Sequence, residues 1–136
     1  MYTFLDIAFL VFHTALIGFN MTGWIWKKTR RIHLVTIALT ILSWIGLGVF
    51  YGFGYCPCTD WHWQVKRALG ETGLPASYVK YYLDKLTGLD WDPSIVDPAV
   101  GVIGVAAFGL SVWLNWRDWR RVRMDKRVEV WTYGRG

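Results

Sequence analysis

Three long apolar runs, each bounded by charge or a cluster of tryptophan, constrain this chain more than anything else in it. They cover about residues 2–26, 32–55 and 98–117. A helix needs about 20 residues to cross the hydrocarbon core of a bilayer, within a range of roughly 17–25. All three runs fit, the last near the lower limit. The first has no basic leader, is followed by no small-residue cleavage pattern and exceeds the length of a signal peptide, so it reads as a retained transmembrane helix. The expectation is an all-α, single-domain membrane protein with three transmembrane helices.

The basic residues set the expected orientation. Lys27, Lys28, Arg30 and Arg31 lie between the first two runs with no acid among them. Arg117, Arg120, Arg121, Arg123, Lys126 and Arg127 follow the third. The connection 56–97 instead carries four bases against six acids. Positive-inside topology then puts the N-terminus and that connection outside, and the short turn and the basic tail 118–136 in the cytoplasm, as in a bacterial inner membrane. The net charge of +5 is thereby a topology signal. Without a face-wide basic stripe it does not point to nucleic acid. Ten tryptophans among 136 residues suit a chain with several membrane–water boundaries.

Polar residues inside the runs are the first candidates for function. Asp6, His13, Asn20 and Lys27 recur every seven residues and share one face of helix one. Such side chains face a bundle interior or a wet cavity. They line either a proton, lipid or quinone path between helices one and two, or a set of interhelical bonds. His33, Thr36, Thr40 and Ser43 form a polar stripe on helix two. His33 lies at the start of that helix and His13 midway along its neighbour. At 1.5 Å per residue they differ in depth by roughly 15–20 Å, too far to ligate one haem. Gly48 and Gly52 have a spacing that allows close helix approach, and Gly101, Gly104, Ala107, Ser111 and Asn115 form a small-residue line on helix three.

The long connection has helical patterning of its own. Trp61, Val65, Ala68 and Leu69 predict one amphipathic helix behind Thr59 or Asp60 as cap, ended by Gly70 and Gly73. Tyr78 to Leu86 predicts a second, behind Ser77 and closed by Gly88. Both are expected to cap the bundle or to lie on the membrane surface. Asp92-Pro93 and Asp97-Pro98 read as cap-then-first-turn pairs, the latter opening helix three. Val128 to Tyr133 alternates like a short strand.

Cys56, Cys58 and His62 form a C-x-C-x3-H cluster at the exit of helix two. Its readings stay open: packing residues at a helix exit, a strained disulfide, a three-ligand metal site or thiol redox chemistry. No GxSxG, phosphate-binding loop or HExxH is present, so no catalytic residues are assigned and no cofactor is named.

These residues resemble domain-of-unknown-function family 2784, a group of small bacterial integral-membrane proteins. The resemblance rests on His13, Arg31, His33-Leu34, Cys56-Pro57 with Thr59, Gly70, Gly73 and Tyr82-Leu83, and covers about residues 5–120. Cys58 stands where the family pattern has Leu, and His62 near a position that is often acidic. The resemblance implies a helical membrane protein, makes Cys56, Pro57 and Thr59 a structural motif, and supplies no activity. The function expected is that of a structural or accessory subunit in a larger membrane complex. The alternatives are a redox or metal protein using Cys56, Cys58 and His62, and a lipid or quinone site using His13 and Asn20.

Overall fold

A computed structural model describes residues 1–52 and 54–133, the last six of these by their backbone alone. The described residues form five helices and no strand: α1 (Tyr2–Thr22), α2 (Arg30–Tyr51), α3 (Pro57–Ala68), α4 (Tyr78–Thr87) and α5 (Pro93–Tyr133). Helices α1, α2 and α5 are long and apolar enough to cross a membrane. The Asp6–His62 contact and the packing of α3 on α1 put the start of α1 at one end of the bundle with the cap helices α3 and α4. The basic turn and the far half of α5 share the other.

Helix α1 stops at Thr22, four residues before the expected end, because the turn takes Trp24 and Trp26 out of the helix. Gly23 N–H donates to Phe19 O at 2.7 Å, and Thr29 Oγ1 donates back to Gly23 O at 2.7 Å. A Cβ on Gly23 would lie 2.9 Å from the His33 ring, so only glycine lets α2 enter here.

Helix α2 begins at Arg30 and includes a π turn over Ser43–Leu47. Such turns insert an extra residue into the helical register. Here the π turn carries Trp44, whose ring fills the notch at Gly104 of α5; a Cβ on Gly104 would meet it at 2.9 Å. Gly52 ends the helix with φ 101°, a conformation that side chains resist. The expected Gly48/Gly52 packing pair is therefore corrected. Gly52 has open space around it and terminates the helix, while close approach is made at Gly23 and Gly104.

The small-residue line of α5 is a packing face as expected. Gly104, Ala107 and Ser111 are buried in a bundle where α5 packs mainly on α2. The start of α5 is not where the sequence put it. Asp92 is the cap: its Oδ1 accepts from Ser94 N–H at 2.8 Å, and its carbonyl accepts from Ile95 and Val96. Pro98 then lies inside the helix, past its first turn, and leaves the Ser94 carbonyl without its usual N–H donor. Nor is there a strand at the far end, since the backbone stays helical through Tyr133.

Both connecting helices form as expected and cap the bundle, α3 packing on α1 and α4 on α5. Helix α3 starts earlier than expected: Cys56, not Thr59 or Asp60, is the cap, and Pro57 takes the first position, where a missing N–H costs nothing. Ser77 caps α4 by accepting from Lys80 N–H, and Gly88 closes it at φ 70°. Trp63, Tyr78 and Tyr81 form the core of the cap, with Ile17, Leu74 and Tyr82 packed against them.

Candidate functional site

Two buried polar centres are tied into the three long helices. The first lies toward the basic turn. His33 is fully buried, with Nδ1 2.9 Å from Ser111 Oγ and Nε2 2.9 Å from Asn20 O. A carbonyl only accepts, so Nε2 carries a proton and donates. One imidazole thereby joins α1, α2 and α5. Around it, Asn20 Nδ2 donates to Thr40 Oγ1 at 3.0 Å, and Asn115 Nδ2 donates to Arg30 O and Ser111 O. The Arg30 guanidinium pairs with Asp118 at 2.7 Å and donates to Trp24 O. Of the expected hydroxyl stripe on α2, Thr40 reaches another helix, Thr36 bonds its own helix, and Ser43 holds Tyr55 O at 3.0 Å. Both nitrogens of His33 have partners, so this centre is a structural knot.

The second centre is at the cap. Asp6, one turn into α1, accepts through one oxygen from His62 Nε2 at 2.7 Å and pairs through the same oxygen with Lys66 at 3.0 Å. Lys66 also donates to Glu71 Oε1 at 3.0 Å, and Tyr81 OH donates to the other Glu71 oxygen. Lys85 approaches that oxygen from solvent at 3.6 Å. His62 and Lys66 lie one helical turn apart on α3, which aims both at α1. The cap is thus clamped to the first span by charge as well as by aromatic packing.

The electrostatics follow from these contacts. Burial would lower the Lys66 ammonium, but hydrogen bonds to Asp6 and Glu71 outweigh it and hold Lys66 above the usual lysine value. The Tyr81 hydroxyl, with help from Lys66, holds the Glu71 carboxyl below the ordinary carboxylate range. Burial raises the Tyr78 and Tyr82 phenols. A lysine held between two carboxylates at 3.0 Å each is a poor base.

His13 completes the centre. Its ring lies 3.9 Å from that of Tyr78, which hydrogen-bonds to Thr14 Oγ1 at 3.3 Å and donates to Leu10 O at 3.4 Å. His62 is 5.9 Å from the same Tyr78 ring and stacks on Phe9. His13 Nδ1 and His62 Nδ1 are both buried without a hydrogen-bond partner. His33 sits level with Asn20, about 10 Å along α1 from His13 and closer than expected because α1 ends at Thr22, so the two still belong to different centres.

The cysteine cluster is divided. Cys56 caps α3 and Cys58 lies in its first turn, both as free thiols, while His62 turns to Asp6. Burial, then the adjacent Cys56, pushes the Cys58 thiol up, away from the thiolate that ligation or nucleophilic attack needs. Among the described residues, no three His, Cys, Asp or Glu side chains converge to hold a metal. Thr59 is buried in the first turn of α3, and Gly70 and Gly73 take φ of 89° and 68°. Tyr82 packs on Tyr78 with ring centroids 4.6 Å apart, and Leu83 is half-buried beside it.

Sequence reasoning missed the partners of Asp6, the Arg30–Asp118 pair and a ladder of Trp–Arg contacts on α5. The ladder alone had a readable sign, Trp-x3-Arg repeated three times from Trp113 to Arg123.

Comparison with curated proteins and with solved structures finds no match. A family profile described as "Protein of Unknown function (DUF2784)" matches residues 3–123, and the chain belongs to that family.

Proposed function

We propose that the protein is a non-enzymatic accessory subunit of a complex in a bacterial inner membrane, with the α3–α4 cap outside and the basic turn and tail in the cytoplasm. The observation that carries this reading is the outward face of α2. Only 6% of its most apolar window is buried, and Leu39, Leu42, Ile45, Val49 and Phe50 are all exposed. The polar interior is largely occupied by internal bonds, whereas the apolar exterior is free for lipid and for other helices. Helix association in a membrane rests on packing and hydrogen bonds, so such a face suits a partner helix. Protein extracted in mild detergent from its native membrane should migrate on native gels with a stoichiometric companion. A lone 15.8 kDa chain without companions overturns the proposal.

A second reading, a quinone or lipid-headgroup site on α1, is favoured by the unpartnered nitrogens of His13 and His62. His13→Leu should then abolish retention of a co-purifying quinone or lipid, and unchanged retention rejects the reading.

A further inference from the structure

Three arginines of α5 are not loose surface charges. Arg117 lies over the Trp113 ring at 5.0 Å, Arg120 over Trp116 at 3.9 Å and Arg123 over Trp119 at 3.8 Å. Each pair is four residues apart on one helix, which is the spacing that brings side chains together. All three tryptophans are about half exposed. We propose that this ladder is a binding site for the headgroups of anionic phospholipids.

Depth places the ladder in the headgroup layer. The apolar span with its extension covers 35 residues, about 50 Å of helix, while the hydrocarbon core needs only ~30 Å. The Arg30–Asp118 pair holds the short basic turn level with the middle of the ladder. From Arg117 to Arg123 the helix rises about 9 Å, close to the roughly 5–8 Å of headgroup region on each side of a bilayer.

The chemistry fits phosphate. Stacking on an indole uses the face of a guanidinium and leaves its N–H edge free for bidentate bonds to phosphate oxygens. Stacking also restricts the arginine rotamers before a ligand arrives, which lowers the ordering cost of binding. Arg117 Nε is buried with no hydrogen-bond partner, and its nearest carboxylate oxygen, on Asp118, is 3.8 Å away. The turn 27–31 and residues 117–127 together carry ten bases against two acids, and Asp118 is already engaged by Arg30. The indoles supply the amphipathic surface that prefers this layer.

The test uses the full chain in detergent with phosphatidylglycerol or phosphatidylcholine of matched acyl chains, read by native mass spectrometry. The wild type should retain phosphatidylglycerol on the order of 100-fold more tightly, at about tenfold or less per cation near the surface. R117Q/R120Q/R123Q should abolish that preference, while R121Q/K126Q/R127Q, with the same charge removed off the ladder, should keep most of it. R117K/R120K/R123K keeps charge but loses the planar edge, and should fall roughly tenfold. Equal loss in the two glutamine variants, or a lysine variant equal to wild type, reduces the ladder to plain charge and overturns the proposal. Displacement of the lipid by millimolar inorganic phosphate overturns it as well, as a free-anion site.

Discussion

Asp6 and His62 meet at 2.7 Å although 56 positions separate them, and the contact joins the first span to the cap. Replacing Asp6 by Ala leaves the His62 N–H and one face of Lys66 without their acceptor, both on buried side chains. Breaking a fully buried pair costs about 3–5 kcal/mol. Asp6 is partly exposed, so a loss of roughly 1–3 kcal/mol is expected. Thermal unfolding in detergent measures it, and limited proteolysis near Gly70 should accelerate in the variant. An unchanged melting curve and cleavage rate would show that the aromatic core alone holds the cap.

The pH dependence of the cap has a defined sign. Glu71 is depressed in the folded protein, first by Tyr81 and then by Lys66. Its contribution is therefore present above the unfolded carboxyl value near pH ~4.3 and is lost as pH falls through the lower folded value. Lys66 is raised, so its contribution is complete below the unfolded lysine value and constant across the acid range. Hydrogen exchange of the α3 and α4 amides should rise below about pH 4, and Glu71→Gln should flatten that component. An acid limb of the same size in the variant would rule Glu71 out.

The His33 knot predicts a different sensitivity. Ser111→Ala removes the Nδ1 partner at a site with no solvent access. A buried polar group left unsatisfied costs about 1–3 kcal/mol. His33→Leu should destabilise by a similar or larger amount, and the double variant by less than the sum, because both remove one interaction. Additive losses in a double-mutant cycle would mean that the two side chains are not coupled.

At Gly104, α5 is closely approached by Trp44 of α2. A methyl group there meets Trp44 at 2.9 Å, and overpacking of this kind costs typically about 1–3 kcal/mol. Gly104→Ala should therefore lower the melting temperature, while Gly109→Ala, which meets nothing within 4 Å on the same helix, should be neutral or mildly stabilising. Equal effects from the two would argue against the Trp44 notch.

The proposed orientation is tested with a membrane-impermeant thiol reagent on intact cells, in a Cys56→Ser, Cys58→Ser background. Leu86→Cys on α4 should be labelled and Met124→Cys on α5 should not, both positions being well exposed in the fold. The reverse pattern inverts the topology.

The sequence by itself determined three helices long and apolar enough to cross a membrane, because a bilayer asks for a length and an apolar composition that residues 2–22, 30–51 and the start of α5 satisfy locally. The Ser77 cap and the closing glycines were equally legible, because Ser77, Gly88 and the positive-φ Gly70 and Gly73 act within a few residues of themselves, whereas α3 is capped by Cys56 and not by Thr59 or Asp60. Where two local signals competed, at Asp92-Pro93 and Asp97-Pro98, nothing nearby showed which would start α5. Val96, buried beyond the first pair, belongs to the packed helix rather than to the loop. The polar centres needed the tertiary structure for a related reason. Asp6 and His13 were visible as costly residues in a span, but a charge in an apolar setting says only that it needs a partner. His62, Lys66, Tyr78 and Ser111 are brought to α1 and α2 by helix packing across 56 to 78 positions, and only the folded chain decides which groups meet.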